Sequence, residues 1–113
     1  MPRRAEDPKW TDPGLLVLGS LAAGPKHGYA MVQDVEQTTG VHLGPGTLYG
    51  AIARLEGRGL IEALDEGESR RRPYRLTARG EEVLGRQLAD MQRFAGLGRR
   101  RLAQRTLALG GGA

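Results

Sequence analysis

Proline and glycine divide the first sixty residues of this chain into three pieces, each long enough for one helix and each apolar along one side. Asp12-Pro13 joins a capping carboxylate to a proline at the first helical position, and Gly24-Pro25 closes the segment. A helix is therefore predicted over residues 13–23, with Leu15, Leu16, Leu18, Leu21 and Ala22 as a broad apolar stripe. A second helix follows over 27–39, where Met31, Val32 and Val35 share a face and Gly40 supplies a stop. After a compact connection containing Gly44-Pro45-Gly46, a third helix over 45–58 carries Leu48, Ile52 and Leu55 on one narrow face. Its other faces show Thr47, Tyr49, Gly50, Ala51, Arg54 and Arg58, and Gly59 ends it.

Two short strands are predicted next, 60–65 and 72–76, around the charged tip Glu66-Gly67-Glu68-Ser69-Arg70-Arg71. Pro73 restricts the second of them to an edge. Thr77 caps a long final helix with Glu81 and Glu82 in its first turn and Val83, Leu84, Leu88, Met91 and Phe94 along its apolar side. That stripe is longer than a three-helix core needs, so it requires a cover. Gly96 and Gly98 are expected to interrupt or bend it, leaving 99–109 as a last short helix or a frayed extension.

Composition removes several classes of function. Without cysteine there is no disulfide framework, thiol nucleophile or zinc-thiolate site. No apolar run approaches a membrane span and no signal peptide is evident, so the expectation is a soluble, cytoplasmic protein. Charge is asymmetric: residues 1–69 hold 6 basic and 10 acidic side chains, whereas 70–113 hold 11 basic and 3 acidic. Arginine supplies 15 of the 17 basic residues, which suits phosphate and base edges and points towards a polyanion.

Three helices, a hairpin and a long helix make a mainly α fold with a small β-hairpin. This is the order of a winged helix-turn-helix with an added C-terminal dimerisation helix. The expected organisation is an N-terminal arm (1–11), the winged helix-turn-helix (12–76), the dimerisation helix and its extension (77–109), and a flexible tail (110–113). Within that order, Leu15-Leu16-Val17-Leu18, His27-Gly28-Tyr29, Gly46-Thr47-Leu48-Tyr49, Arg54-Leu55-Glu56, Gly59-Leu60-Ile61 and Tyr74-Arg75-Leu76-Thr77-Ala78-Arg79-Gly80 resemble the PadR-like transcriptional regulators. The resemblance runs over roughly residues 13–95. The short C-terminal region is similar to the small subfamily, in which one C-terminal helix makes the dimer. It implies a homodimer on a two-fold related operator in double-stranded DNA, usually as a repressor, with some members released by a small-molecule effector. The last helix has no Trp, so a drug-stacking pocket at the dimer centre, seen in some relatives, finds no support here.

The candidate site centres on the third helix. Short side chains at Gly50 and Ala51 let a helix backbone approach a groove, Thr47 and Tyr49 reach phosphate, and Arg54 or Arg58 reach phosphate or guanine. The competing reading is an amphipathic helix whose bare face packs on another protein, which would make the chain a winged-helix interaction adaptor. Arg70, Arg71 and Arg72 would sit on the wing against phosphate or the minor groove, unless Glu66 and Glu68 merely neutralise the loop. Lys26 and Tyr29 open the second helix, where amide donors and a phenol can meet phosphate, although Tyr29 and Tyr74 are better explained as core or half-core packing. Arg3, Arg4 and Lys9 belong either to a backbone-contacting arm or to a soluble tail, and Arg99, Arg100, Arg101 and Arg105 to a solvated face. Leu84, Leu88, Met91 and Phe94 are assigned to the dimer interface. An effector would bind between the first and last helices near Trp10, which serves equally as an anchor for the N-terminus.

Enzyme readings find little footing. Gly44-Pro45-Gly46-Thr47-Leu48-Tyr49-Gly50 lacks the strand that precedes a dinucleotide fingerprint, and neither Lys9 nor Lys26 fits a phosphate-binding loop. The histidines, His27 and His42, lie fifteen apart without a carboxylate cluster, so no metal, cofactor or Ser-His triad is expected.

Overall fold

In the computed structural model of the chain, residues 11–64 and 72–110 are described. Four helices, α1 (Pro13–Leu21), α2 (Gly28–Thr39), α3 (Pro45–Gly57) and α4 (Ala78–Ala108), surround two strands, β1 (Ile61–Ala63) and β2 (Tyr74–Leu76). The fold is a winged helix-turn-helix with a long C-terminal helix.

Each helix starts and stops for local reasons. The Asp12 carboxylate accepts a hydrogen bond from the Leu15 amide at 3.2 Å, and Pro13 occupies the first helical position. Gly40 ends α2 in the left-handed region at φ 77°, where a side chain is disfavoured, and its amide donates to the Glu36 carbonyl. Helix α1 sits at the centre of the core, buried at Leu16, Val17, Leu18 and Leu21 and packed against α2, α3, α4 and β2. Met31 and Val35 close one side; Leu48, Ala51, Ile52 and Leu55 close another.

β1 and β2 pair antiparallel, with Ile61 opposite Leu76 and Ala63 opposite Tyr74. The free edge of β2 is covered as well. The Lys26 amide donates to the Tyr74 carbonyl at 3.1 Å and the Tyr74 amide donates to the Lys26 carbonyl at 2.8 Å, so the wing is tied to the start of α2. At the wing's base the Thr77 amide donates to the Leu60 carbonyl, while the Thr77 hydroxyl donates to the Gly59 carbonyl at 2.6 Å and accepts from the Gly80 amide. These bonds join the end of α3 to the start of α4. Gly80 is required at that junction, because a Cβ there would fall 2.0 Å from the Leu60 carbonyl oxygen.

Several expectations need correction. Both strands are shorter than the sequence suggests, and Pro73 lies before β2, its carbonyl accepting from the Leu64 amide. Ala51 is fully buried, because it completes the Leu48, Ile52, Leu55 stripe at the i+3 position rather than extending the exposed face. Tyr29 is 65% exposed, not a core residue, whereas Tyr74 is half-buried as expected. Leu84 packs into its own subunit's core and is 6% exposed, so it contributes to the fold before any dimer. Gly96 and Gly98 do not break α4, which runs unbroken for 31 residues. Neither glycine adopts a positive φ, and a mid-helix glycine costs only about 1 kcal/mol against alanine, which the flanking Arg, Leu and Ala residues offset.

Candidate nucleic-acid interface

Because α3 buries Leu48, Ala51, Ile52 and Leu55, the i, i+3, i+4, i+7 geometry turns Gly46, Thr47, Tyr49, Gly50, Ala53 and Arg54 outward. Five of these six are exposed and Gly50 is half-buried. Most are small, so the α3 backbone can come close to whatever lies opposite. The Arg54 guanidinium lies back along this face, since a Cβ on Gly50 would be 3.5 Å from its Nη1. Among the described residues Arg54 has no acidic partner.

Tyr49 is seated by α2. Its phenol lies over Gly28, where a Cβ would be 2.7 Å from the Tyr49 hydroxyl oxygen. Glycine at the second position of His27-Gly28-Tyr29 therefore leaves the room in which Tyr49 joins the first turn of α2 to the outward face of α3. His27 caps α2 without a side-chain hydrogen bond, and Gly44 caps α3 likewise, so the first amides of both helices are not satisfied by a capping side chain. Next to them, the Tyr29 phenol accepts a hydrogen bond from Gln33 Nε2 at 3.3 Å. The N-terminus of α2 and the phenols of Tyr29 and Tyr49 thus lie together, with Arg54 further along the outward face of α3. The chemistry they offer is donation to an anion.

The wing adds to the same side. Burial pushes the Tyr74 phenol above its ordinary value; the Glu56 carboxylate and, more weakly, the Tyr49 phenol act in the same direction, against the Arg72 guanidinium. Arg72 is exposed and has no acidic partner among the described residues, while Arg75 on β2 pairs with Glu62 at 2.7 Å. Arg70, Arg71 and Trp10 lie outside the described residues, as do Arg3, Arg4 and Lys9.

Two expected contributors are placed elsewhere. The Lys26 ammonium donates to the Ser20 carbonyl at 2.7 Å and to the Gly24 carbonyl at 3.5 Å, so it caps the end of α1 rather than facing outward with Tyr29. Arg58 lines a cleft of about 430 Å³ between α1, the end of α3 and α4, together with Asp12, Leu15, Val83 and Asp90. The roles of Gly28 and Gly80 escaped sequence reasoning. Their signal was a glycine inside a helix's first turn, where alanine is ordinarily preferred.

Along α4, Leu88, Met91 and Phe94 are 48%, 39% and 75% exposed. A second groove, of about 520 Å³, runs between α1, α2 and α4 with Leu16, Val35, Leu88 and Met91 on its walls. Among the described residues no three His, Asp or Glu side chains gather as a metal site would need, and no helix is long and apolar enough to cross a membrane.

Residues 17–86 match the family described as Transcriptional regulator PadR-like family. A crystal structure of a PadR family transcriptional regulator from Eggerthella lenta is similar at 35% identity and a TM-score of 0.64, covering 76% of this chain and 78% of that one. A transcriptional regulator from Clostridium thermocellum superposes with a TM-score of 0.70 at 26% identity, over 78% of this chain and 87% of its own. An uncharacterized 37.1 kDa protein in a Streptomyces fradiae transposon is 49% identical over 85 residues, which are 75% of this chain. The chain spans 24% of the length of that curated relative.

Proposed function

From the premise that this chain belongs to the PadR-like family of transcriptional regulators, whose members are not enzymes, we propose that it binds a two-fold related operator in double-stranded DNA as a homodimer and represses from it. The observation that carries this reading is the outward face of α3. Gly46, Thr47, Gly50 and Ala53 keep it low, Tyr49 and Arg54 flank it, and the uncapped start of α2 lies alongside. Such a face enters a major groove with its backbone close to the base edges, while Thr47, Tyr49, Tyr29 and the α2 amides hold phosphates on either side. Arg54 is the side chain with the reach and fork to read guanine. Arg72 on β2, with Arg70 and Arg71 beside it in sequence, adds contacts to the flanking backbone or minor groove.

The exposed Leu88, Met91 and Phe94, which a lone subunit would leave in water, support homodimerisation. Two-fold pairing through α4 sets the two α3 helices about 34 Å apart, one turn of DNA. Occupying an operator is sufficient to exclude a competing protein, so repression asks nothing beyond binding, and the protein acts where the DNA is, in the cytoplasm. A small-molecule effector would enter the cleft between α1, α3 and α4, where Arg58, Asp12 and Asp90 supply charge and Leu15 and Val83 an apolar floor.

Selection of bound duplexes from a random pool tests the reading. The expected result is an inverted repeat with half-sites one turn apart, bound with an affinity that falls steeply with salt, about 0.9 log units per log unit for each phosphate contact. Recovery of no preferred duplex, with no salt dependence, would overturn it in favour of an adaptor that meets another protein.

A further inference from the structure

Met31 and Val35 turn one side of α2 into the core, so Tyr29, Gln33, Glu36 and Gln37, at steps of three and four residues, share its exposed side. With Val32 and His42 they line a shallow cleft of about 350 Å³. One end of the cleft is Tyr29, next in the chain to the Gly28 seat of Tyr49, and the other is His42, two residues before the Gly44 cap of α3.

The backbone that carries His42 is fixed on both sides. The Val41 amide donates to the Thr39 hydroxyl at 3.2 Å, Val41 packs against the core, and Leu43 is buried in it. The imidazole itself is 70% exposed, and its Nδ1 lies 2.8 Å from a Glu36 carboxylate oxygen. With that oxygen as the acceptor, Nδ1 carries the proton of the neutral ring, which leaves Nε2, without a partner among the described residues, as an acceptor. Protonation makes Nε2 a donor and cancels the net negative charge that His42 and Glu36 otherwise carry together. The titratable groups around the ring are the Glu36 carboxylate and, at the far end of the cleft, the Tyr29 phenol; Val32, Gln33 and Gln37 are uncharged. Among the described residues, no side chain from α1, α3, α4 or the strands lines the cleft.

A neutral ring held by a carboxylate repels a phosphate backbone, whereas the protonated ring offers it a charged donor. Imidazole makes that change between about pH 5 and 8. Coupling of this kind is reciprocal: a proton on the ring favours the duplex, and the duplex favours the proton.

We propose that His42 is a further phosphate contact of the nucleic-acid interface, held in place by Glu36 and engaged only when protonated. Resting on the duplex-binding reading, this adds one proton taken up by each subunit as it binds.

Phosphate is common to every duplex, so a mixed-sequence duplex serves as the probe. Lowering the pH from about 8 to about 6 should strengthen binding about tenfold by fluorescence anisotropy and steepen the salt slope by about 0.9 log units per log unit for each subunit. His42→Gln, an exposed change, should remove both effects, and His42→Lys should bind at either pH as the unmodified chain does at about pH 6. An unmodified chain whose affinity ignores pH, or a His42→Gln chain that keeps the pH dependence, overturns the assignment and leaves duplex binding intact. Failure to bind duplex at either pH overturns both. The chain has 2 histidines, so the His42 ring signal can be followed by nuclear magnetic resonance with His27→Gln to identify it. Adding duplex at about pH 7 should move that signal towards its protonated position, and a signal that stays where it was refutes the linked proton.

Discussion

Replacing Gly80 by alanine adds one methyl group at the junction where α3, β1 and α4 meet. The added Cβ would lie 2.0 Å from the Leu60 carbonyl oxygen, whereas Cβ contacts below 3.0 Å essentially do not occur, so the two backbones must separate by about 1 Å. That oxygen is the acceptor for the Thr77 amide at 3.1 Å, and the Thr77 hydroxyl bond to Gly59 at 2.6 Å spans the same gap. Loss of both hydrogen bonds costs about 1 kcal/mol each. Prising Leu60, 1% exposed, out of its packing adds roughly 1–3 kcal/mol. The better helix propensity of alanine returns about 1 kcal/mol, leaving a net loss of about 3 kcal/mol. For a domain of this size that lowers the melting temperature by more than about 10 °C. Gly85→Ala is the internal control, since nothing lies within 4 Å of its Cβ position and the same propensity gain goes unopposed. Urea and thermal denaturation at matched protein concentration would measure both. A Gly80→Ala protein as stable as the Gly85→Ala protein would refute the close-approach argument.

Gly28→Ala pushes the Tyr49 phenol from its seat, so duplex affinity should fall about tenfold by fluorescence anisotropy with the helical circular dichroism signal retained; unchanged affinity would separate Tyr49 from the interface. Arg54→Ala should weaken the preferred duplex by about 1–3 kcal/mol and relax selectivity at one base pair, whereas Arg72→Ala should weaken all duplexes alike and lower the salt slope by about 1. Leu88→Glu, on the exposed side of α4, should give a monomer in sedimentation velocity, and a persistent dimer would refute the α4 interface. Because the Tyr74 phenol titrates above its ordinary 10.0 in the folded chain, the folded state holds that proton more tightly than the unfolded state. Its contribution to stability is complete below pH 10 and is lost as pH rises through the folded value, so Tyr74→Phe should flatten the alkaline limb of the stability curve.

The positions of the helices were legible because each boundary is local: Asp12 with Pro13, Gly40, Pro45 and Thr77 act through groups within four residues of themselves. The length of α4 was not, because a glycine stops a helix only where the chain also takes a left-handed turn. Gly40 and Gly59 do so at φ 77° and 74°, and Gly96 and Gly98 do not. The outward face of α3 was readable at Thr47, Tyr49 and Arg54, but Ala51 was misplaced, since alanine carries too little hydrophobicity to mark a buried position. Lys26 was misread for a different reason. Its partners, the carbonyls of Ser20 and Gly24, are backbone atoms that no side-chain pattern announces.

Helix α1 connects the two halves of the proposed function. It packs against α3 on one side and α4 on another, and the cleft holding Arg58 and Asp90 opens between all three. In a two-fold dimer with α3 helices about 34 Å apart, each helix sits about 17 Å from the axis, so a rotation of the domain by about 10° about that axis moves α3 by about 3 Å. That displacement is close to the 3.4 Å step between base pairs along one strand. A molecule wedged into the cleft would thus need to turn α1 against α4 by about 10° to move each α3 towards the neighbouring base step. Stiffness of the Thr77 junction is what makes so small a tilt matter, because bonds to Gly59 and Leu60 oblige α3 to follow the start of α4. Loosening that junction, for instance with Thr77→Val, which removes the hydroxyl but keeps the shape, should lower duplex affinity even though the Thr77 hydroxyl is engaged by Gly59 and Gly80 and lies off the outward face of α3. An affinity equal to that of the unmodified chain would show that the Thr77 hydroxyl does not set the position of α3.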